Sequence, residues 1–326
     1  MNSAGSSPNF DSKVLIKSLA ILESIVISGT KFNSLVEHEV TLPNLISNIQ
    51  QNTANPEVQQ NSIALINALF SKSDLSKRKA MAATLGSKHI RNVIYSYVIS
   101  PKIVRQEVEG ADWKQFKVNV NVGSEMAHQL YVLQSLLFNL HEERQYQVPN
   151  QQNEAETRDK ILELRKLYFE SELIMAERHG GKVTPILGSG TVGFQEDYKR
   201  LGFSNYKNPV EDFQESPPGL LALDMIMYFA RNYTENYVKI VYENSLRSDR
   251  EHECPFVKSS IQLTKLICEI SKVNEPPTDE GKQFYPLFFR VDHPLEEFFS
   301  TSIIVLNKTW KEMRAGILLL HFKFAN

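Results

Sequence analysis

The sequence predicts an all-α protein, and three observations carry that reading. SLAILESIV at 18–26, SIALINALF at 62–70 and QLYVLQSLL at 129–137 share one pattern of apolar and small positions, with Ser18 and Ser62 standing 44 residues apart. Between them Leu42, Leu45, Ile46 and Ile49, then Ile90, Val93, Ile94 and Tyr97, fall at the i, i+3, i+4, i+7 spacing that gathers apolar side chains on one helical face. Nothing along the chain reads as a run of alternating strands.

Taken in order, each early unit reads as a helix pair. A period in the forties built from such pairs is that of armadillo and HEAT solenoids, whose units bury their apolar faces only against neighbours. The third unit begins 67 residues after the second, so 101–122 reads as an insertion. Its VRQEVEGADWKQFKVNVNVG is expected as an exposed loop, with Trp113 as a contact or a loop anchor. The repeats are expected to occupy 1–143, and EERQYQVPNQQNEAETRD, poor in aliphatics and rich in amides and charge, reads as a linker over 144–158. A second helical domain is expected over 159–315, followed by a divergent apolar tail, GILLLHFKFAN, at 316–326. Within that domain Ile161, Leu164 and Tyr168 share a helix running to about Ala176, and a glycine-containing loop follows. Ser216-Pro217-Pro218 reads as a serine cap with proline in the first turn of LLALDMIMYFA. Thr234 caps the next helix through Val241, and 256–270 is another apolar-periodic helix. Pro294 opens the last one, with Glu296 and Glu297 in a solvated first turn where they offset the helix dipole.

Composition narrows the function classes. Lys and Arg number 36 against 38 Asp and Glu, so no global field favours nucleic acid or an anionic membrane. The two cysteines, Cys254 and Cys268, are too few for a disulfide framework and read as buried small apolar residues of a reducing compartment. The polar start MNSAGSSPNFDSK lacks the layout of a signal peptide, and no apolar run reaches the roughly 18 residues of a membrane span. A cytoplasmic location is therefore expected, with the sequons at Asn232 and Asn307 as chance matches.

Several motifs fail in context. Gly188, Gly190 and Gly193 spell G-x-G-x-x-G, but VTPIL is a weak preceding strand and Asp212 lies in a proline-flanked loop rather than at a second strand's end. Gly180-Gly181-Lys182 lacks the earlier glycine and following hydroxyl of a phosphate loop. His252 and Cys254 come from one short segment with no second pair of ligands, and Cys254-Pro255-Phe256 reads as a capped helix entry. No nucleophile and base constellation is present, so no catalytic residue, metal or cofactor is assigned.

YKRLGFSNYKNPVEDFQESPPGLLALDMIMYFAR at 198–231 carries Leu201-Gly202-Phe203, Pro209, Asp212-Phe213-Gln214 and Gly219 opening an apolar helix. This resembles the motif of the ELMO (engulfment and cell motility) domain. HECPFVKSSIQLTKLICEI and FFSTSIIVLNKTWKEMRA resemble later helices of that domain, and EMAHQLYVLQ at 125–134 resembles the armadillo repeat of the family's larger members. The resemblance implies a non-catalytic scaffold that pairs with Dock-type exchange factors to activate Rac, in actin remodelling, cell motility, phagocytosis and engulfment of apoptotic cells. It also implies recruitment to the plasma membrane through partners. Smaller members act as GTPase-activating proteins for Arf-like small GTPases and place a catalytic arginine after Asp-Phe. Here Gln214 follows Asp212-Phe213, and a glutamine supplies none of the fixed charge that makes an arginine finger worth about 10³–10⁵ in rate. Arg231 is the nearest alternative, at the far end of the following helix. Larger members carry a ubiquitin-like domain before and a PH domain and proline-rich tail after these regions and hold the Dock partner mainly through them, so the sequence is expected to be a fragment or isoform truncated at both ends, and its binding of a Dock-type factor is left open.

Overall fold

The computed structural model describes residues 8–29, 31–106, 117–178, 191–245 and 254–313. The chain forms two compact units. Met1–Leu140 and Asn274–Pro294 make the first, and His141–Val273 with Leu295–Asn326 make the second.

In the first unit the three recurrent segments fall in α1 (Pro8–Ser28), α4 (Pro56–Lys72) and α7 (Ser124–Phe138). The intervening periodic sets fall in α3 (Leu42–Gln51) and in α6 (Lys88–Ile94), which continues through a π-helical turn at Tyr95–Ile99. Two further helices, α2 (Asn33–Glu39) and α5 (Leu75–Leu85), correct the expected pairs to groups of three. Armadillo-type repeats accommodate either number. Helix α2 stands between α1 and α3, and α5 between α4 and α6. Asp74 makes the start of α5 possible by accepting the Lys77 N–H at 2.9 Å.

The centre of this unit is α4, in which every residue from Ser62 to Phe70 is buried against α1, α3 and α7. Its polar side chains bind the main chain of those neighbours. Gln59 donates to the Ile49 carbonyl at 2.8 Å, Asn61 to that of Ile16 at 3.2 Å and Asn67 to that of Gln129 at 2.9 Å. Each bond aligns one flanking helix at a definite height while satisfying a group that burial would otherwise penalise.

The insertion expected as a loop contains a paired ribbon, β1 (Ile103–Gln106) antiparallel to β2 (Lys117–Val120) with Ile103 opposite Val120. Backbone pairing satisfies main-chain groups that an isolated loop would leave to water, which is why an insertion with scattered Val and Ile adopts it. Trp113 lies outside the described residues.

The first unit is completed from far along the chain. Phe289 enters its core, and Phe288 meets Phe138 edge-on with centroids 5.0 Å apart. Buried Arg91 of α6 donates to the Gly86 carbonyl at 2.8 Å and reaches the Val291 carbonyl and Asp292 carboxylate; its burial lowers the guanidinium pKa. Left-handed backbone at Lys272, Asn274 and His293 marks the two ends of this segment.

The second unit holds α8 (Glu142–Tyr146), α9 (Glu154–Arg178), α10 (Thr191–Leu201), α11 (Gly219–Asn232), α12 (Thr234–Ser245), α13 (Phe256–Ile270) and α14 (Pro294–Glu312). Here α11 is central, buried from Gly219 to Ala230 except at Asp224 and Tyr228. Phe229 sits among Phe256, Phe299 and Tyr233, while Tyr237 donates its hydroxyl to the Leu164 carbonyl at 3.0 Å. Buried Arg165 and Asp197 pair at 2.7 Å, tying α9 to α10, with the guanidinium 4.1 Å from the Phe194 ring centroid.

Several local expectations change. The expected linker, 144–158, is no free linker, because α8 packs on α11 and the amides of Asn150 and Asn153 build a turn, the Asn150 N–H donating to Asn153 Oδ1 at 2.7 Å. The amides that made the segment look unstructured are its hydrogen-bonding framework. Gly193 falls inside α10, while Gly180, Gly181, Lys182, Gly188, Gly190, His252 and the tail 316–326 lie outside the described residues. Thr234 Oγ1 donates back to the Ala230 carbonyl at 2.8 Å instead of capping α12, which runs on to Ser245. Helix α13 starts after Pro255 with no side-chain cap, and Cys254 Sγ faces Ser259 Oγ at 3.3 Å. Glu297 is no bystander in a solvated turn, since Tyr228 and Tyr233 donate their hydroxyls to it at 2.6 and 2.5 Å. Hydrogen bonding to Glu297 and burial push the Tyr233 phenol up to about 12. Among the described helices none is long and apolar enough to cross a membrane.

Truncating α4 tests the repeat architecture. Leu65 is fully buried, so Leu65→Ala is expected to lower unfolding free energy by about 2–5 kcal/mol in urea titration. A loss under about 1 kcal/mol would contradict a central position for this helix.

Candidate functional site

The residues that carry the motif are 198–219, leading from α10 through a 3-10 turn at Pro209–Phe213 into α11. Their first property is close backbone approach. Gly202 has φ of +87°, and a Cβ there would stand 2.5 Å from the Phe256 nitrogen and 2.8 Å from the Pro255 carbonyl carbon. The Gly202 carbonyl accepts the Lys258 N–H at 3.2 Å, so this glycine stitches the end of α10 to the first turn of α13. Leu201 and Phe203 on either side are buried.

The loop that follows is closed by Asp212. Its carboxylate accepts the main-chain N–H of Ser204 at 2.6 Å and of Asn205 at 2.8 Å, joining the two ends of the 204–212 loop. Glu211 reinforces the closure by accepting from Asn208 Nδ2 at 2.7 Å and from Asn205 Nδ2. Burial raises the Asp212 pKa above the ordinary carboxylate range despite its two N–H donors. Pro209 and Phe213 are buried beneath the loop, Phe213 edge-on to Phe203 with centroids 6.4 Å apart.

After the loop the chain reaches α11 by a route the serine-cap reading did not foresee. The Ser216-Pro217 and Pro217-Pro218 peptide bonds are both cis, and the helix begins at Gly219, after both prolines. Ser216 Oγ donates to the Gln145 carbonyl at 3.1 Å instead of to the helix. Gly219 has φ of +51°, and a Cβ would overlap the Gln147 carbonyl oxygen and stand 2.8 Å from that of Gln145. The Leu220 N–H donates to the Gln147 carbonyl at 2.8 Å. Exposed Gln214 donates its side-chain amide to the Pro149 carbonyl at 3.1 Å. The 145–149 segment thus supplies three carbonyls that secure the entry to α11.

The charged groups nearby are committed to one another. Arg231 forms a two-bond pair with Glu163, Nε at 2.7 Å and Nη2 at 2.6 Å, across α11 and α9. Asp224 accepts from Arg144 at 2.5 and 3.0 Å and from Lys160 at 2.9 Å. Burial opposes ionisation of Asp224, but the Arg144 and Lys160 hydrogen bonds outweigh it and hold the carboxyl below its ordinary range. Sequence reasoning passed over this network, although one carboxylate inside LLALDMIMYFA is a signal that partners must be waiting for it. Cys268 is buried and its thiol is pushed up to about 12 by that burial, so it stays protonated. Among the described residues no group of three His, Cys, Asp or Glu side chains is placed to hold a metal ion.

All eight residues singled out from the sequence are therefore brought together in one loop and helix entry. Leu201, Gly202, Phe203, Pro209, Asp212, Phe213 and Gly219 shape that entry, and Gln214 carries the exposed amide on its rim.

A profile of the ELMO/CED-12 family matches residues 139–322, and one of the ELMO, armadillo-like helical domain matches residues 2–99. Engulfment and cell motility protein 2 of Homo sapiens is 42% identical over 314 residues, covering 95% of this chain and 40% of the relative. Engulfment and cell motility protein 1 of Homo sapiens is 42% identical over 310 residues, 94% of this chain and 38% of the relative. Engulfment and cell motility protein 3 of Mus musculus is 38% identical over 311 residues, with 94% and 39% covered. The chain thus spans about two-fifths of the length of the curated relatives it matches.

Two substitutions test this geometry. Gly219→Ala combines left-handed backbone with overlap on a carbonyl, so it should destabilise the protein by more than about 1 kcal/mol in chemical denaturation, and a neutral result would refute the close approach. For Asp224 the folded pKa is depressed, so its stabilisation is fully present above the unfolded value near 4 and is lost as pH falls through the folded value. The difference in unfolding free energy between wild type and Asp224→Asn should accordingly shrink below about pH 4; a difference that stays constant down to about pH 2 would remove the network as its cause.

Proposed function

Because the chain belongs to the ELMO/CED-12 family of engulfment and cell motility proteins, we propose that it is a non-catalytic scaffold in Rac GTPase signalling, working with a Dock-type exchange factor. In this reading it serves actin organisation, cell motility and the engulfment of apoptotic cells. It acts in the cytoplasm and is brought to the plasma membrane by its partners. The repeats and the ELMO domain offer separate helical surfaces to other proteins, as stacked helices do.

The observation that carries the proposal is how the motif spends its polar groups. Asp212 closes its own loop, both glycines serve close packing, and the position after Asp-Phe holds a neutral amide bonded to a carbonyl. An arginine that reaches a GTPase needs to be free to present its charge to the transferring phosphate. Arg231 instead makes two short bonds to Glu163, which raise its pKa and hold it against α9. The alternative, a GTPase-activating protein for an Arf-like GTPase, has no comparable support.

A pull-down of the chain against a Dock-type exchange factor and a set of GTP- and GDP-loaded small GTPases tests the proposal, alongside single-turnover GTP hydrolysis. Retention of the exchange factor without acceleration of hydrolysis is the expected outcome. Hydrolysis stimulated more than tenfold and abolished by Arg231→Ala would replace the scaffold reading with the catalytic one.

A further inference from the structure

A pocket of about 290 Å³ opens in the first unit where α2, α3, α4 and α5 meet. Its walls are apolar, formed by Val40 just after α2, Leu42 and Leu45 of α3, Ile66 and Leu69 of α4, and Met81 of α5. Leu45, Ile66 and Leu69 are buried and make its floor. The polar lining is confined to Glu37, Ser73 and Lys77. Ser73 Oγ donates to the Leu69 carbonyl at 2.7 Å, so its proton is committed within α4. Lys77 Nζ donates to Glu37 at 2.8 Å, bridging α5 to α2, and about half of the Lys77 side chain is in solvent, which puts this pair at the mouth.

The sequence of α5 accounts for the pocket. Lys77, Ala80 and Met81 stand at i, i+3 and i+4 and so share one face of the helix. Ala80 offers a single methyl where a longer side chain would close the space, and the flexible thioether of Met81 makes an adaptable wall. Only Ala82 and Leu85 of α5 are buried, so this helix is lightly held and can shift to admit a chain. Close-packed interiors leave few openings larger than a water molecule, and an apolar cavity of about 150 Å³ takes benzene. The present volume therefore suits an aliphatic chain of about eight to ten carbons.

Charge at the mouth favours one kind of head group. Residues 72–91 carry Lys72, Lys77, Arg78, Lys79, Lys88 and Arg91 against Asp74 alone, in a chain whose charges otherwise nearly cancel. Asp74 is committed to the Lys77 N–H at the start of α5. The Lys77 ammonium has three N–H donors and directs one to Glu37, leaving it able to meet a second anion. We propose that this pocket binds a single-chain anionic amphiphile, a medium-chain fatty acid in the simplest case, with the tail against Leu45, Ile66 and Leu69 and the head group at Lys77. Apolar burial supplies the affinity, and Lys77 supplies the preference for an anion. The pocket is built wholly from the repeats, and the proposal does not rest on the scaffold reading.

The test is isothermal titration calorimetry of the full chain with hexanoate, octanoate, decanoate and dodecanoate, and with octanol as the neutral comparator. Affinity should rise about fourfold for each methylene added from hexanoate to octanoate, and should gain nothing from decanoate to dodecanoate. Wild type should bind octanoate at least threefold tighter than octanol, and Lys77→Gln should erase that preference while leaving octanol binding unchanged. Ala80→Trp, at an exposed position, should plug the mouth and weaken octanoate at least tenfold with circular dichroism unchanged. No saturable heat from decanoate, equal wild-type affinity for octanoate and octanol, or undiminished binding by Ala80→Trp would overturn the proposal. Affinity that keeps rising to dodecanoate would mark adsorption on the outer surface and overturn it too. Should Ala80→Trp fail to fold, methyl-labelled methionine in the wild-type chain gives an independent reading. Decanoate should shift the Met81 methyl resonance, identified by its loss in Met81→Leu, and leave that of Met225, buried in α11, in place; an unmoved Met81 signal would overturn the assignment.

Discussion

Each unit depends on one largely buried helix, α4 in the first and α11 in the second. A helix with little or no polar stripe has little else on which to set its orientation, so direction comes from specific side chains and from its ends. In α4 that is done by Gln59, Asn61 and Asn67, each bonded to a carbonyl of a different neighbour. In α11 it is done by Asp224 with Arg144 and Lys160, by Arg231 with Glu163, and by a start secured on the carbonyls of 145–149. Apolar burial supplies the driving force for both units, while these few polar contacts select which packing is adopted.

The motif that resembles a functional signature belongs to this architecture more than to any chemistry. Gly202 and Gly219 are needed because two backbones come close at each, and Asp212 because two main-chain donors at the far end of its loop need an acceptor. Such residues preserve the shape of a surface. The exposed side chains of this loop are those of Ser204, Lys207, Glu211, Gln214, Glu215 and Ser216.

Much of the fold could be read from the sequence, because periodicity reports burial. Helices α1, α3, α4, α6 and α7 announced themselves where apolar residues recur at helical spacing. Helix α5 did not, since LSKRKAMAATL places three cations in a row and packs through a few small and apolar residues, among them Ala82 and Leu85. The 144–158 segment was misjudged because amides that bond backbone look the same in composition as amides that face water. The cis bonds at Pro217 and Pro218 were hidden for a related reason, that X-Pro sequence alone does not declare its isomer. In the candidate site, the identity of the motif residues was legible, but the role of each was not, because the partners of Gly219 and Asp224 lie some 64 to 80 positions away in sequence.

The return of residues 274–294 to the first unit has a consequence for how the protein is made. At roughly 5–20 residues per second, a ribosome that has finished α7 needs about 8–30 s more to deliver Phe289. Through that interval the repeat helices stand complete in sequence but lack the aromatic residues that close their core, and α6 holds Arg91 without the carbonyl and carboxylate that receive it. The nascent chain therefore passes through a stage in which one unit waits for the next to be almost finished. That stage is where a chaperone would find its client, and where a stalled or shortened product would leave the repeat helices open to aggregation.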